Sequence, residues 1–132
     1  MEVAYFPGCS LHSSSRLYDV QCKSVLGRLG IELRELEDWN CCGATSAEKT
    51  DDFLAVALPA RNLGLADATG RGQVLVPCSA CYSRMVVATE RIAADPGLAA
   101  EINAELGSKA AGGSQVTSIL ELLAPMAASG EL

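Results

Sequence analysis

Long apolar runs are missing from this chain: none approaches the ~18 uninterrupted residues that a membrane-spanning helix needs. Its start, Met1-Glu2-Val3, has neither the basic segment nor the apolar stretch of an export signal. The expectation is a soluble, unsecreted, cytoplasmic protein with no membrane insertion. Positive charge is scarce as well, with 10 Lys and Arg against 16 Asp and Glu, a net charge of −6 and a pI near 4.7. That balance argues against nucleic acid or an anionic membrane as partner. Aromatics, at 5%, leave little material for stacking bases. There is no internal repeat, no low-complexity tract and no charge block. The glycines near residues 107–113 lack the spacing and the Lys-Ser/Thr pair of a phosphate loop. Macromolecular partners are therefore expected to be proteins.

What the chain has is cysteine, in a tight pattern. With 132 residues, 49% of them hydrophobic, it is long enough for one core of ordinary size, so residues 1–132 are read as a single domain. Five of six cysteines fall into three groups: Cys9 after a Pro-Gly turn, the adjacent pair Cys41-Cys42 before Gly43, and Cys78 and Cys81 in a Cys-x-x-Cys after Pro77. In a reducing cytosol, clustered cysteines are more often metal ligands or redox groups than structural disulfides.

The hydrophobic periodicity places each group. Glu2 to Phe6 reads as a strand stopped by Pro7-Gly8. From Ser14 to Leu29 the apolar residues Tyr18, Cys22, Val25, Leu26 and Leu29 mark one face of a helix ended by Gly30. Ile31 to Leu36 is a second strand. Residues 47–69 read as a helix that Pro59 must kink or split. Gln73 to Val76 is a third strand and Ser79 to Ala94 a helix. Leu98 to Leu106 is a short helix, Ala110 to Ser114 a loop, and Val116 to Met126 a strand end running into an apolar helix. This alternation predicts an α/β, Rossmann-like domain: a small parallel sheet with helices on both faces. Each cysteine group then follows a strand and precedes a helix, so all three lie at the carboxyl edge of the sheet, where open α/β folds bind ligands.

The segments Ala4-Tyr5-Phe6-Pro7-Gly8-Cys9-Ser10 and Asp38-Trp39-Asn40-Cys41-Cys42-Gly43-Ala44, with the later Cys-x-x-Cys, resemble the CCG-domain family, whose cysteine-rich domain occurs twice in one of the subunits of heterodisulfide reductase. The likeness runs from about Met1 to Ala124 and is to the first of those two halves. It implies a noncubane 4Fe–4S cluster, easily lost in air, with Cys9, Cys41, Cys42, Cys78 and Cys81 as its ligands. Five thiolates overfill both tetrahedral zinc and a cubane cluster, which take four. It also implies an iron–sulfur redox domain for thiol/disulfide reduction or electron transfer, part of a larger oxidoreductase with flavin- or iron–sulfur-containing subunits. In the family, the disulfide is cleaved between two clusters held by two halves, so one domain is expected to be incomplete by itself. Where the chain ends suggests a fragment or truncated form, and a natural single-domain form stays open.

Two other classes of function remain in view. One is an electron-relay subunit of a succinate, glycolate or lactate dehydrogenase type; the other is a structural module held by zinc or disulfides. Among the remaining residues, Cys22 reads as a buried small hydrophobe outside the ligand set. His12 reads as a solvated loop histidine, with a hydrogen bond to a cluster sulfur or substrate as the alternative. Trp39 reads as packing or as a water shield; Arg16, Lys23 and Arg84 receive no role. In air, Cys78 with Cys81 is the expected disulfide, because that spacing at a helix start suits the bond. The apolar run Ile119, Leu120, Leu122, Leu123 and Met126 is the candidate face for a homodimer, with packing on the domain's own sheet as the alternative.

Overall fold

A computed structural model describes residues 1–44, 51–107 and 114–132. Strand β1 (Glu2–Tyr5) leads through a one-turn helix α1 (Gly8–Leu11) into α2 (Arg16–Arg28), and β2 (Glu32–Glu35) follows. After α3 (Asp52–Ala68) come β3 (Gln73–Leu75), α4 (Ser79–Ala94), α5 (Pro96–Leu106), β4 (Gln115–Thr117) and α6 (Ile119–Ser129). All pairings are parallel and the order across the sheet is β2-β1-β3-β4. The α/β class and the parallel sheet are as the sequence predicts.

Alternation along the two central strands explains why helices cover both faces. Ala4 and Phe6 of the first strand segment, with Val74 and Val76 of the third, face a core built from Val56, Ala60 and Leu63 of α3, Met85, Ala88 and Ile92 of α4, and Ile102 of α5. Val3, Tyr5 and Leu75 face the other way, onto Leu26 of α2 and Leu122 of α6. Strands buried on both faces need apolar residues at every position, and Val3-Ala4-Tyr5-Phe6 supplies them.

The boundaries differ from expectation for identifiable reasons. The long helix starts two residues later than expected, after Ser15 at its N-cap position. Before it the chain turns once in α1, and α2 starts at Arg16. Pro59 does not split α3, which is continuous from Asp52 to Ala68 with Asp51 capping its start through the amides of Phe53 and Leu54. Residues 47–50 of the expected helix, and 110–113 of the expected loop, lie outside the described residues. Helix α5 starts earlier than expected because Asp95 caps it, accepting from the Leu98 amide, with Pro96 at its first position.

The C-terminal apolar run packs mainly on its own sheet. Leu122 is buried, and Ile119, Leu123 and Met126 are half-buried against the same core. Of the five, Leu120 alone is strongly solvent-facing, at 78% exposure, so most of the run lies against the chain's own sheet, the second of the two expected placements. Among the described residues, no helix is long and apolar enough to cross a membrane.

Candidate metal centre

Parallel order β2-β1-β3 brings the ends of three strands side by side, with β1 central, so the connections leaving them share one edge. The first connection is Phe6-Pro7-Gly8-Cys9. Gly8 has φ +79, and a Cβ there would sit 2.8 Å from the Cys81 sulfur. Glycine is therefore required twice, by the left-handed turn and by a sulfur that fills the space of a side chain. The second connection carries Cys41, Cys42 and Gly43, the glycine again left-handed at φ 85. Its amide donates to the Cys41 sulfur at 3.4 Å. In the third, Cys78 is the N-cap of α4 and Cys81 lies in its first turn.

The sulfurs form a string across the three connections. Cys42 and Cys81 are in contact, Sγ to Sγ 3.2 Å, and both are buried. Cys9, the exposed member, interacts with Cys41. Cys81 also interacts with Cys78, whose sulfur accepts the Ser10 hydroxyl at 3.9 Å. The string thus runs Cys9, Cys41, Cys42, Cys81, Cys78. Among the described residues, no three Cys, His, Asp or Glu side chains surround one point closely enough to hold a single metal ion.

The central pair shares a proton unevenly. The hydrogen bond between the Cys42 and Cys81 sulfurs lowers the Cys42 pKa to about 6 against the opposing effect of burial. The same hydrogen bond, with burial and the negative neighbour, pushes Cys81 upward. Cys9, though exposed as a residue, is raised, first by partial desolvation of its thiol and then by Cys41.

The Cys41-Cys42 connection is braced from α3. Asn62, fully buried, accepts the Asn40 amide at 3.0 Å and donates to the Asn40 carbonyl at 2.8 Å. The Asn40 side chain in turn donates to the carbonyls of Cys41 and Leu58. Arg61 donates to the Asp38 carbonyl and carboxylate and to Asn40 Oδ1, holding Asp38 in a left-handed turn at φ 61. These braces are not singled out by the sequence pattern. A signal existed in α3, where Asn62 interrupts an apolar stretch on a buried face.

The other candidates take different places. His12 pairs with Glu35, Nε2 to Oε2 3.4 Å, and meets Trp39 edge-on at 5.2 Å. Trp39 donates its indole N–H to Glu35 and packs edge-on against Phe6 at 5.3 Å. His12 is thus an exposed turn histidine, as expected, that also has partners in a polar and aromatic cluster. Lys23 bridges to Asp19 at 3.0 Å, and the Tyr5 hydroxyl donates to the same carboxylate at 2.6 Å. Cys22 is buried on α2 beside Tyr18, its thiol raised by burial, as a small core residue would be.

The profile of the cysteine-rich CCG domain matches residues 3–86, a span that holds all five clustered cysteines. Two relatives are similar over longer stretches. The 8-methylmenaquinol:fumarate reductase membrane anchor subunit of Wolinella succinogenes is 36% identical over 93% of this chain and 43% of its own length. A protein of Archaeoglobus profundus, named for its likeness to a heterodisulfide reductase subunit, is 27% identical over 74% of this chain and 33% of its own length. The chain thus spans less than half the length of each of these relatives. With a matching profile, the three cysteine groups at one sheet edge and these relatives, the chain belongs to the cysteine-rich CCG domain family.

Proposed function

We propose that residues 1–132 form one iron–sulfur redox unit of a larger reductase, in which Cys9, Cys41, Cys42, Cys78 and Cys81 hold a noncubane 4Fe–4S cluster. The observation that carries this reading is the contact between Cys42 and Cys81, which joins the Cys-Cys-Gly group to the Cys-x-x-Cys group although they lie on different connections. The donor set fits the group. Five soft thiolates select iron–sulfur clusters, zinc or copper(I), and a string of sulfurs suits several irons better than one ion, which needs its donors around a point. When bound, such a cluster supplies one-electron oxidation and reduction.

This chain's own residues supply the surroundings. The Gly43 amide and the Ser10 hydroxyl donate to cysteine sulfurs, and such hydrogen bonds stabilise thiolate charge and tune a cluster's potential. Phe6 and Trp39, packed edge-on, place apolar surface beside the Cys41-Cys42 connection. Thiols that must stay reduced to act as ligands favour a reducing compartment, the cytoplasm. Both relatives are named as subunits, or like one, which supports other redox subunits as partners.

Between thiol/disulfide reduction and electron relay, the greater identity and coverage of the fumarate reductase relative favours relay as a second reading. Anaerobic reconstitution tests the cluster: about four irons and four acid-labile sulfides per chain are expected. Stoichiometric zinc without labile sulfide would replace this reading by a structural module. Perturbation of the cluster's spectrum by small disulfides would select disulfide chemistry over relay.

A further inference from the structure

We infer that the cluster-free chain has a specific oxidative modification site: Cys42 and Cys81 join as a disulfide under mild peroxide, tying the β2–α3 connection to the first turn of α4. The Cys-x-x-Cys spacing by itself points to a different pair, Cys78 with Cys81. The tertiary structure redirects Cys81. Its sulfur lies 3.2 Å from that of Cys42, so bond formation at ~2.05 Å needs an approach of little more than ~1 Å. Gly8 leaves the Cys81 sulfur the space that a Cβ would occupy, and Ser10 donates to the sulfur of Cys78. The Cys42–Cys81 pair is also 3% and 6% exposed. Bulky disulfides cannot readily enter such a site, whereas peroxide is about the size of a water pair.

The reaction balances in two steps. One thiol of the pair attacks the peroxide O–O bond and becomes a sulfenic acid, with its proton leaving in the first water. The second thiol then attacks the sulfenic sulfur, the S–S bond forms, and the hydroxyl departs with that thiol's proton as the second water. Two sulfurs lose two electrons in total, and both peroxide oxygens end as water. A thiol reductant reverses the link through thiol–disulfide exchange. If the proposed function is right, the link also removes two ligands and bars cluster loading until it is reduced. That consequence rests on the proposed function, whereas the disulfide itself does not.

The test starts from reduced, cluster-free protein treated with equimolar hydrogen peroxide, then alkylated, digested and mapped by mass spectrometry. Because Cys41 and Cys42 share a peptide, Cys41→Ser is run in parallel with the natural chain. The expected result is a linked peptide pair containing Cys42 and Cys81, reversed by dithiothreitol. Predominant Cys78–Cys81 linkage, or over-oxidation of unlinked Cys42, overturns the inference. Iron and sulfide are then offered to both redox forms. Uptake by the reduced form alone supports the loading block, and equal uptake by a fully linked form overturns it. Failure of the reduced form to take up iron counts against the cluster while leaving the mapped disulfide standing.

Discussion

Asn62 grips the backbone of Asn40 from both sides, accepting its N–H at 3.0 Å and donating to its C=O at 2.8 Å across 22 residues of sequence. The side chain stands in for a strand partner at a place where the backbone has left the sheet. Asn40 immediately precedes the two adjacent cysteines, so the grip sets where the Cys41-Cys42 connection meets α4.

Asn62→Leu is therefore expected to destabilise the chain by ~1–3 kcal/mol, the usual penalty for leaving buried polar groups unpaired. Its effect on the centre should exceed that on the fold. After anaerobic reconstitution, iron retained on dilution should fall well below that of the natural chain. Retention equal to the natural chain in a folded Asn62→Leu protein would show that the brace does not position the cysteines.

Gly8 and Gly30 provide a matched pair of substitutions. Both have φ near +80, but a Cβ at Gly8 meets the Cys81 sulfur at 2.8 Å, whereas one at Gly30 meets nothing within 4 Å. Gly8→Ala and Gly30→Ala should share a backbone penalty of ~1–2 kcal/mol, read by urea unfolding. Only Gly8→Ala should also lower iron content. Similar iron content in both would place the requirement for glycine in the backbone alone.

Asp19 makes stability pH-dependent. Burial alone would raise its carboxyl, but hydrogen bonds from Tyr5 and Lys23, with the ammonium charge, hold it below the usual carboxylate value. A folded pKa below the unfolded one means that the contribution is fully present above the unfolded value near ~3.9 and is lost as pH falls through the folded value. Urea midpoints measured from pH 6 downward should fall more steeply for the natural chain than for Asp19→Asn in that acidic window. Parallel curves would remove Asp19 from the account.

Cys22 is the internal control for the ligand set. Cys22→Ala should cost on the order of 1 kcal/mol and leave iron content unchanged, since that thiol is buried on α2 beside Tyr18. Serine at position 9, 41, 42, 78 or 81 should each reduce iron and sulfide per chain. An equal loss at position 22 would show that the five-cysteine assignment is wrong.

Much of this molecule is legible without coordinates because local physics carries it. The all-apolar run Val3 to Phe6 can only be a strand covered on both faces, and strand–helix alternation with short links makes the sheet parallel. From that topology alone the three cysteine groups share the carboxyl edge, and Cys22, on the apolar face of a helix, is set apart. Tertiary packing decided the rest. Which cysteine touches which depends on how the β2–α3 connection leans on α4, and no residue spacing encodes a contact between positions 42 and 81. His12 finds Glu35 and Trp39 because β1 and β2 are neighbours, a through-space relation invisible in the local pattern. The same holds for the C-terminal run: its apolar residues were plain, but their packing beside Val3, Tyr5 and Leu75 follows from the place that β4 gave α6.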